Sequence, residues 1–167
     1  AAKKCMDDGK AKPIAATYLR NFKPENKYTE TTKYTSVKLL DPNDCPGIMY
    51  YLPTPKNPHG VDVDPTGEYI VAGGKLAAVI PVHSFKKFIA SKDDKDNIVD
   101  VISGIPVLKY ESTLEKEVEK PCLGPLHTEF DGNGFAYTSC FVSSEIVKWS
   151  MKDWKVVDRV PAYYSIG

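Results

Sequence analysis

A motif that occurs twice constrains this chain more than any other feature. His59-Gly60-Val61-Asp62-Val63 runs into Asp64-Pro65-Thr66-Gly67 and then Glu68-Tyr69. His127-Thr128-Glu129-Phe130 runs into Asp131-Gly132-Asn133-Gly134 and then Phe135-Ala136-Tyr137. Each copy reads as His, short strand, Asp-x-x-Gly turn and a returning strand with Tyr. Asp bonds its own backbone and Gly tolerates positive φ, which is what tight turns require. Tyr lies ten residues after His in both copies, whereas the turn begins five residues after His59 and four after His127. Repeated meanders of this kind are what β-propeller blades look like in sequence.

The surrounding text agrees. Segments 48–52, 60–63, 68–72, 76–82, 105–110, 115–118, 146–149 and 156–157 are strand-like in their apolar, β-branched and aromatic content. Phe85, Phe88 and Ile89 form an i, i+3, i+4 stripe that predicts one short helix near 84–91. The two His are 68 residues apart, long for a blade, so 84–104 reads as an insertion with a solvated charge run at 92–96. Residues 1–47 form a poorly readable lead-in: 10–35 is polar without a sustained period, and only 36–40 reads as a strand. The expected fold is all-β, a partial propeller of about three blades over 48–167, with one short helix.

Composition narrows the function. The 167 residues suit one domain, and 13 Pro with 11 Gly favour short strands and turns. Lys+Arg and Asp+Glu both number 22, a balance that argues against a dedicated nucleic-acid binder. No apolar run of about 18 residues is present, so no helix is expected to span a membrane. The first residues carry no apolar signal-peptide core. Cys5, Cys45, Cys122 and Cys140 lack C-x-x-C spacing, allow three full pairings, and read most simply as buried thiols. No Gly-x-Ser-x-Gly elbow exists, and Gly73-Gly74-Lys75 lacks the spacing of a phosphate loop. Asp62, Asp64 and Glu129 form no evident acid/base couple, and Asp64 and Asp131 are expected to cap their own turns.

Repetition places His59 and His127 at matching radius about a propeller axis. Converging imidazoles suit copper, zinc or iron. The plainer alternative is a polar group satisfied at each strand end. His83 lacks the register and reads as structural or exposed.

Two longer blocks carry a resemblance. Residues 56–67 with Gly73-Gly74-Lys75-Leu76, and residues 123–132 with 136–139 and 147–149, resemble the N-terminal propeller of the nitrous-oxide reductase family. The resemblance is good over 48–167 and poor over 1–47. It implies reduction of N2O to N2 in denitrification, at a tetranuclear copper-sulfide centre held by seven hub histidines of a seven-bladed propeller. His59 and His127 fall on two of those copper positions. Lys148 matches a lysine beside the cluster, and Asn57 a residue that helps bind structural calcium. It further implies a periplasmic homodimer that takes electrons from a cytochrome-type or cupredoxin donor. The C-terminal cupredoxin domain that would receive them has no counterpart here. The chain is therefore expected to be a piece of that enzyme, inactive by itself. The alternative is a non-catalytic β-propeller-like repeat module.

Overall fold

The computed structural model describes residues 1–15 and 36–167. Most of the polar stretch 10–35, read as lacking a sustained period, therefore lies outside the described residues. The chain divides into two units, residues 1–50 with 101–106, and residues 51–100 with 107–167.

The smaller unit holds a short helix, α1 (Ala2–Asp7), and the antiparallel pair β1 (Lys12–Ala15) and β2 (Ser36–Leu39). Cys5 and Cys45 are joined by a disulfide across 40 residues, and Lys12 pairs with Asp44. Strand β2 sits where 36–40 reads as a strand. The polar text of the lead-in hides α1 and β1, because six- and four-residue elements carry too few positions to show a period.

The larger unit is built from two four-stranded antiparallel sheets. The first has the order β3 (Pro58–Val63), β4 (Tyr69–Gly74), β5 (Val79–Ser84), β8 (Leu114–Glu119). The second is the meander β9 (Pro125–Phe130), β10 (Phe135–Cys140), β11 (Glu145–Ser150), β12 (Val156–Pro161). In sequence, the insertion lies between β5 and β8: α2 (Phe85–Ser91), a 3-10 turn at Lys95–Asn97, the hairpin β6 (Ile98–Ile102) and β7 (Ile105–Leu108), whose residues 101–106 are counted with the smaller unit, and α3 (Tyr110–Thr113). The all-β, partial-propeller fold expected from the repeats is what the chain adopts. The described residues complete two sheets of the blade type.

The helix expected near 84–91 is α2. Ser84 caps it by accepting from Lys87 N–H at 3.1 Å, and its hydroxyl donates to Glu68 Oε1 at 2.5 Å. Two further short helices, α1 and α3, correct the expectation of a single one. Segment 48–52 is also no strand: Tyr51 makes one isolated parallel bridge to Val107. Pro53 and Pro55, just beyond it, lack the N–H groups a continuing ladder would need.

Alternation along β4, β5, β8, β10 and β11 directs one side-chain set into a shared core. Val71, Ile80, Val82 and Val118 come from the first sheet; Ala136, Cys140, Val147 and Trp149 from the second. Trp149 is fully buried and donates its indole N–H to Thr138 Oγ1 at 2.9 Å. The Thr138 hydroxyl also bonds Thr128 Oγ1 at 2.8 Å. Cys122 and Cys140 form a second disulfide, closing the loop before β9 onto the end of β10. All four cysteines are buried, as expected, but the expectation of free thiols is corrected. Sequence spacing offers no way to see that Cα atoms 18 and 40 residues apart fold to within 6.1 and 5.9 Å.

Candidate metal site

Strands β3 and β9 are the first of their sheets and lie side by side. Glycine allows this approach. A Cβ on Gly60 would stand 2.1 Å from the Leu126 carbonyl oxygen, and one on Gly73 would stand 2.0 Å from the same atom. The backbone of β9 therefore presses directly onto the β3–β4 hairpin.

Both histidines sit in β-bulges. Pairing of β3 with β4 shifts between Pro58↔Gly74 and Val61↔Ala72, so three steps on β3 face two on β4. Pairing of β9 with β10 shifts in the same sense, between Thr128↔Thr138 and Pro125↔Cys140. The extra residue of each inner strand falls in the stretch that carries the histidine. Bulges re-aim side chains and are frequent beside functional sites. The offset between the two motif copies is thus taken up inside the strands. His59 is the first residue after Pro58, and His127 the second after Pro125.

The result is convergence. The His59 and His127 ring centroids are 5.4 Å apart, edge to face at 84°. Both residues are exposed. Asp62 reaches across from β3: its Oδ1 lies 3.4 Å from His127 Nδ1, and its Oδ2 accepts Thr128 N–H at 2.7 Å. Two imidazoles suit copper in donor chemistry, and a ring nitrogen held by a carboxylate is the usual outer support of such a ligand. The pair fits a share of a copper site. Among the described residues no group of three or more His, Cys, Asp or Glu side chains gathers to hold a metal ion.

Lys148 lies on β11, opposite Tyr137, which is opposite Glu129. Alternation puts that row on the same face of the second sheet as His127. Its ammonium, however, sits over the Phe135 ring at 4.2 Å and near Tyr137 at 5.4 Å, toward the Asp131 turn. Asn57 takes a left-handed conformation with φ 61°, and its carbonyl accepts Lys75 N–H at 2.8 Å, a cross-strand bond one step beyond the Pro58–Gly74 pair of β3 and β4.

Asp64 and Asp131 do cap their turns. Burial pushes Asp64 up, but the N–H of Tyr69 and the hydroxyl and N–H of Thr66 outweigh it and hold the carboxyl below its ordinary range. Asp131 behaves alike: burial is outweighed by the N–H groups of Asn133 and Phe135, with help from Tyr137 and Lys148. His83 is buried and structural. Its Nδ1 bonds Thr113 Oγ1 at 2.9 Å, Nε2 has no partner, and burial lowers its pKa.

Sequence reading missed Asp62 as the partner of His127, because the contact spans 65 residues and two sheets. It also missed the bulges, although Gly60 inside a strand is the usual signal of one.

No family model matches the chain. Curated relatives do. The chain is 33% identical over 175 residues to "Nitrous-oxide reductase" of Ralstonia nicotianae, covering 98% of this chain and 22% of that protein. It is 40% identical over 108 residues to that of Stutzerimonas stutzeri, 62% of this chain and 14% of the relative. For the Pseudomonas fluorescens protein the figures are 37% over 105 residues, 62% and 14%. Over the segment it spans, this chain belongs with the nitrous-oxide reductases.

The Ralstonia alignment reaches into residues 1–47, so the likeness to nitrous-oxide reductase extends further than the motif blocks alone indicate. The chain spans between about a seventh and about a fifth of these relatives' length. Among solved structures, a candidate 6-phosphogluconolactonase from Bacteroides uniformis overlaps 68% of this chain and 31% of its own, at TM-score 0.41 and 21% identity. That likeness is too distant to carry an argument.

Proposed function

We propose that this chain supplies two copper ligands, His59 and His127, to a nitrous-oxide reductase. The observation that carries the reading is their convergence to 5.4 Å from two separate inner strands. It is joined to 33–40% identity with proteins of that name. In the proposed reaction N2O takes up two electrons and two protons and leaves as N2 and water. Copper, in the tetranuclear copper-sulfide centre that the family resemblance implies, would supply the electrons when bound. His59 and His127 would hold the metal through ring nitrogens. Lys148 offers a positive charge on the His127 face of its sheet, and Asn57 offers an amide oxygen of the kind calcium prefers.

Two disulfides fit an exported, oxidising setting such as the periplasm. A homodimer fed by a cytochrome-type or cupredoxin donor, acting in denitrification, completes the reading. One observation favours the non-catalytic alternative for the isolated chain: no third donor joins the pair among the described residues. Both are tested together. The 167-residue chain is loaded with copper and assayed for bound metal and for N2O consumption with an artificial reductant. The reading expects weak copper retention that disappears in a His59→Gln/His127→Gln double variant, and no turnover. Copper binding that ignores both substitutions overturns the ligand assignment. Turnover by this chain overturns the expectation that it acts only as part of a larger site.

A further inference from the structure

We propose that Asp62 is a positioning residue, one that fixes the His127 imidazole as its Nδ1–H tautomer and leaves the Nε2 lone pair for a metal. This rests on reading His127 as a ligand. Four observations meet at the ring. The Asp62 carboxylate is anchored, because Oδ2 accepts Thr128 N–H at 2.7 Å from the residue next to His127. Its other oxygen is then directed at Nδ1, 3.4 Å away. The Gly60 backbone lies against the same nitrogen, where a Cβ would come within 2.8 Å. The His59 ring closes one side, edge to face.

The tautomer follows from donor and acceptor arithmetic. An ionised carboxylate only accepts hydrogen bonds, so the facing ring nitrogen must carry the hydrogen. In a neutral imidazole the other nitrogen is then the unprotonated one, and that is the nitrogen a metal binds. Asp62 stands on β3 and His127 on β9, so the orienting group belongs to the neighbouring sheet. The ligand's geometry is thereby tied to how the two sheets pack.

Asp62→Asn tests this cleanly. The amide has one oxygen for two donors. The backbone N–H of Thr128 keeps it, and the NH2 group faces Nδ1. The ring must then accept at Nδ1 and carry its hydrogen on Nε2. Long-range 15N–1H correlation on the metal-free 167-residue chain at about pH 8, where imidazoles are neutral, reads the tautomer directly. His127→Gln identifies the signals. The expected result is Nδ1–H in the parent and Nε2–H in Asp62→Asn, with matching near-ultraviolet circular dichroism showing that both fold. In a Cu(II) titration the variant should bind about 10- to 100-fold more weakly. An Nε2–H tautomer in the parent, or an unchanged tautomer in a folded variant, overturns the proposal. If the tautomer flips while neither protein binds copper at the pair, Asp62 still positions the ring and the ligand reading of His127 is what falls.

Discussion

Single atoms decide how near β3, β4 and β9 come to one another. Gly73→Ala would drive a methyl group to 2.0 Å from the Leu126 carbonyl oxygen, a backbone atom that cannot rotate away. Separation of the strands should cost about 3 kcal/mol, the upper end of ordinary overpacking, read as a lower urea midpoint at unchanged slope. Thr138 poses the opposite problem. It accepts the buried indole N–H of Trp149, so Thr138→Val leaves that donor unpaired. A loss of about 1–3 kcal/mol is expected, and Thr128→Val, which leaves the indole bond in place, should cost less. His83 sets an acid limit. Burial lowers its pKa below the ordinary 6.5, so the unfolded chain binds the proton more readily. Its contribution is complete above pH 6.5 and is lost as the pH falls toward the depressed folded value. Urea unfolding at stepped pH should show that decline beginning below 6.5, and His83→Gln should flatten the onset.

At the scale of elements, the legible parts were those where one strand face or one turn speaks for itself. The Asp-x-x-Gly turns, the stripe of α2 and the hairpins beside them follow from local chemistry. The helix α1, the strand β1 and the two bulges do not, because each is fixed by partners far along the chain. The site divides the same way. His59 and His127 could be singled out by repetition, whereas Asp62 became visible only once β3 and β9 lay together. Helix α2 offers a further check. Ser84 both accepts from Lys87 N–H and donates to Glu68, which Lys86 approaches at 3.6 Å. Ser84→Ala removes the cap and should destabilise by about 1 kcal/mol, with hydrogen exchange rising first in α2.

The whole molecule depends on covalent closure as well as packing. The Cys122–Cys140 bond closes a separation of 18 residues and the Cys5–Cys45 bond one of 40. Chain entropy assigns closures of these sizes about 3 to 4 kcal/mol each. That is a large share of the total stability of a small protein. Reduction should therefore lower the thermal midpoint in two separable steps, and Cys122→Ser/Cys140→Ser should remove the step belonging to the two-sheet unit. Failure of the reductant to shift the melt would show that the bonds do not form in solution.

The paired bulges bear on how such a molecule can change over generations. In an unbroken ladder, moving a side chain by one position turns it to the opposite face. Here each inner strand keeps a surplus residue beside its histidine, and the imidazole occupies the first place in one copy and the second in the other. A duplicated unit can therefore drift in where it carries its functional group without disturbing the ladder on either side. Sequence comparison of the copies would show this as a gap that wanders by one residue. Descent by duplication would be underestimated wherever the histidines themselves were forced into alignment.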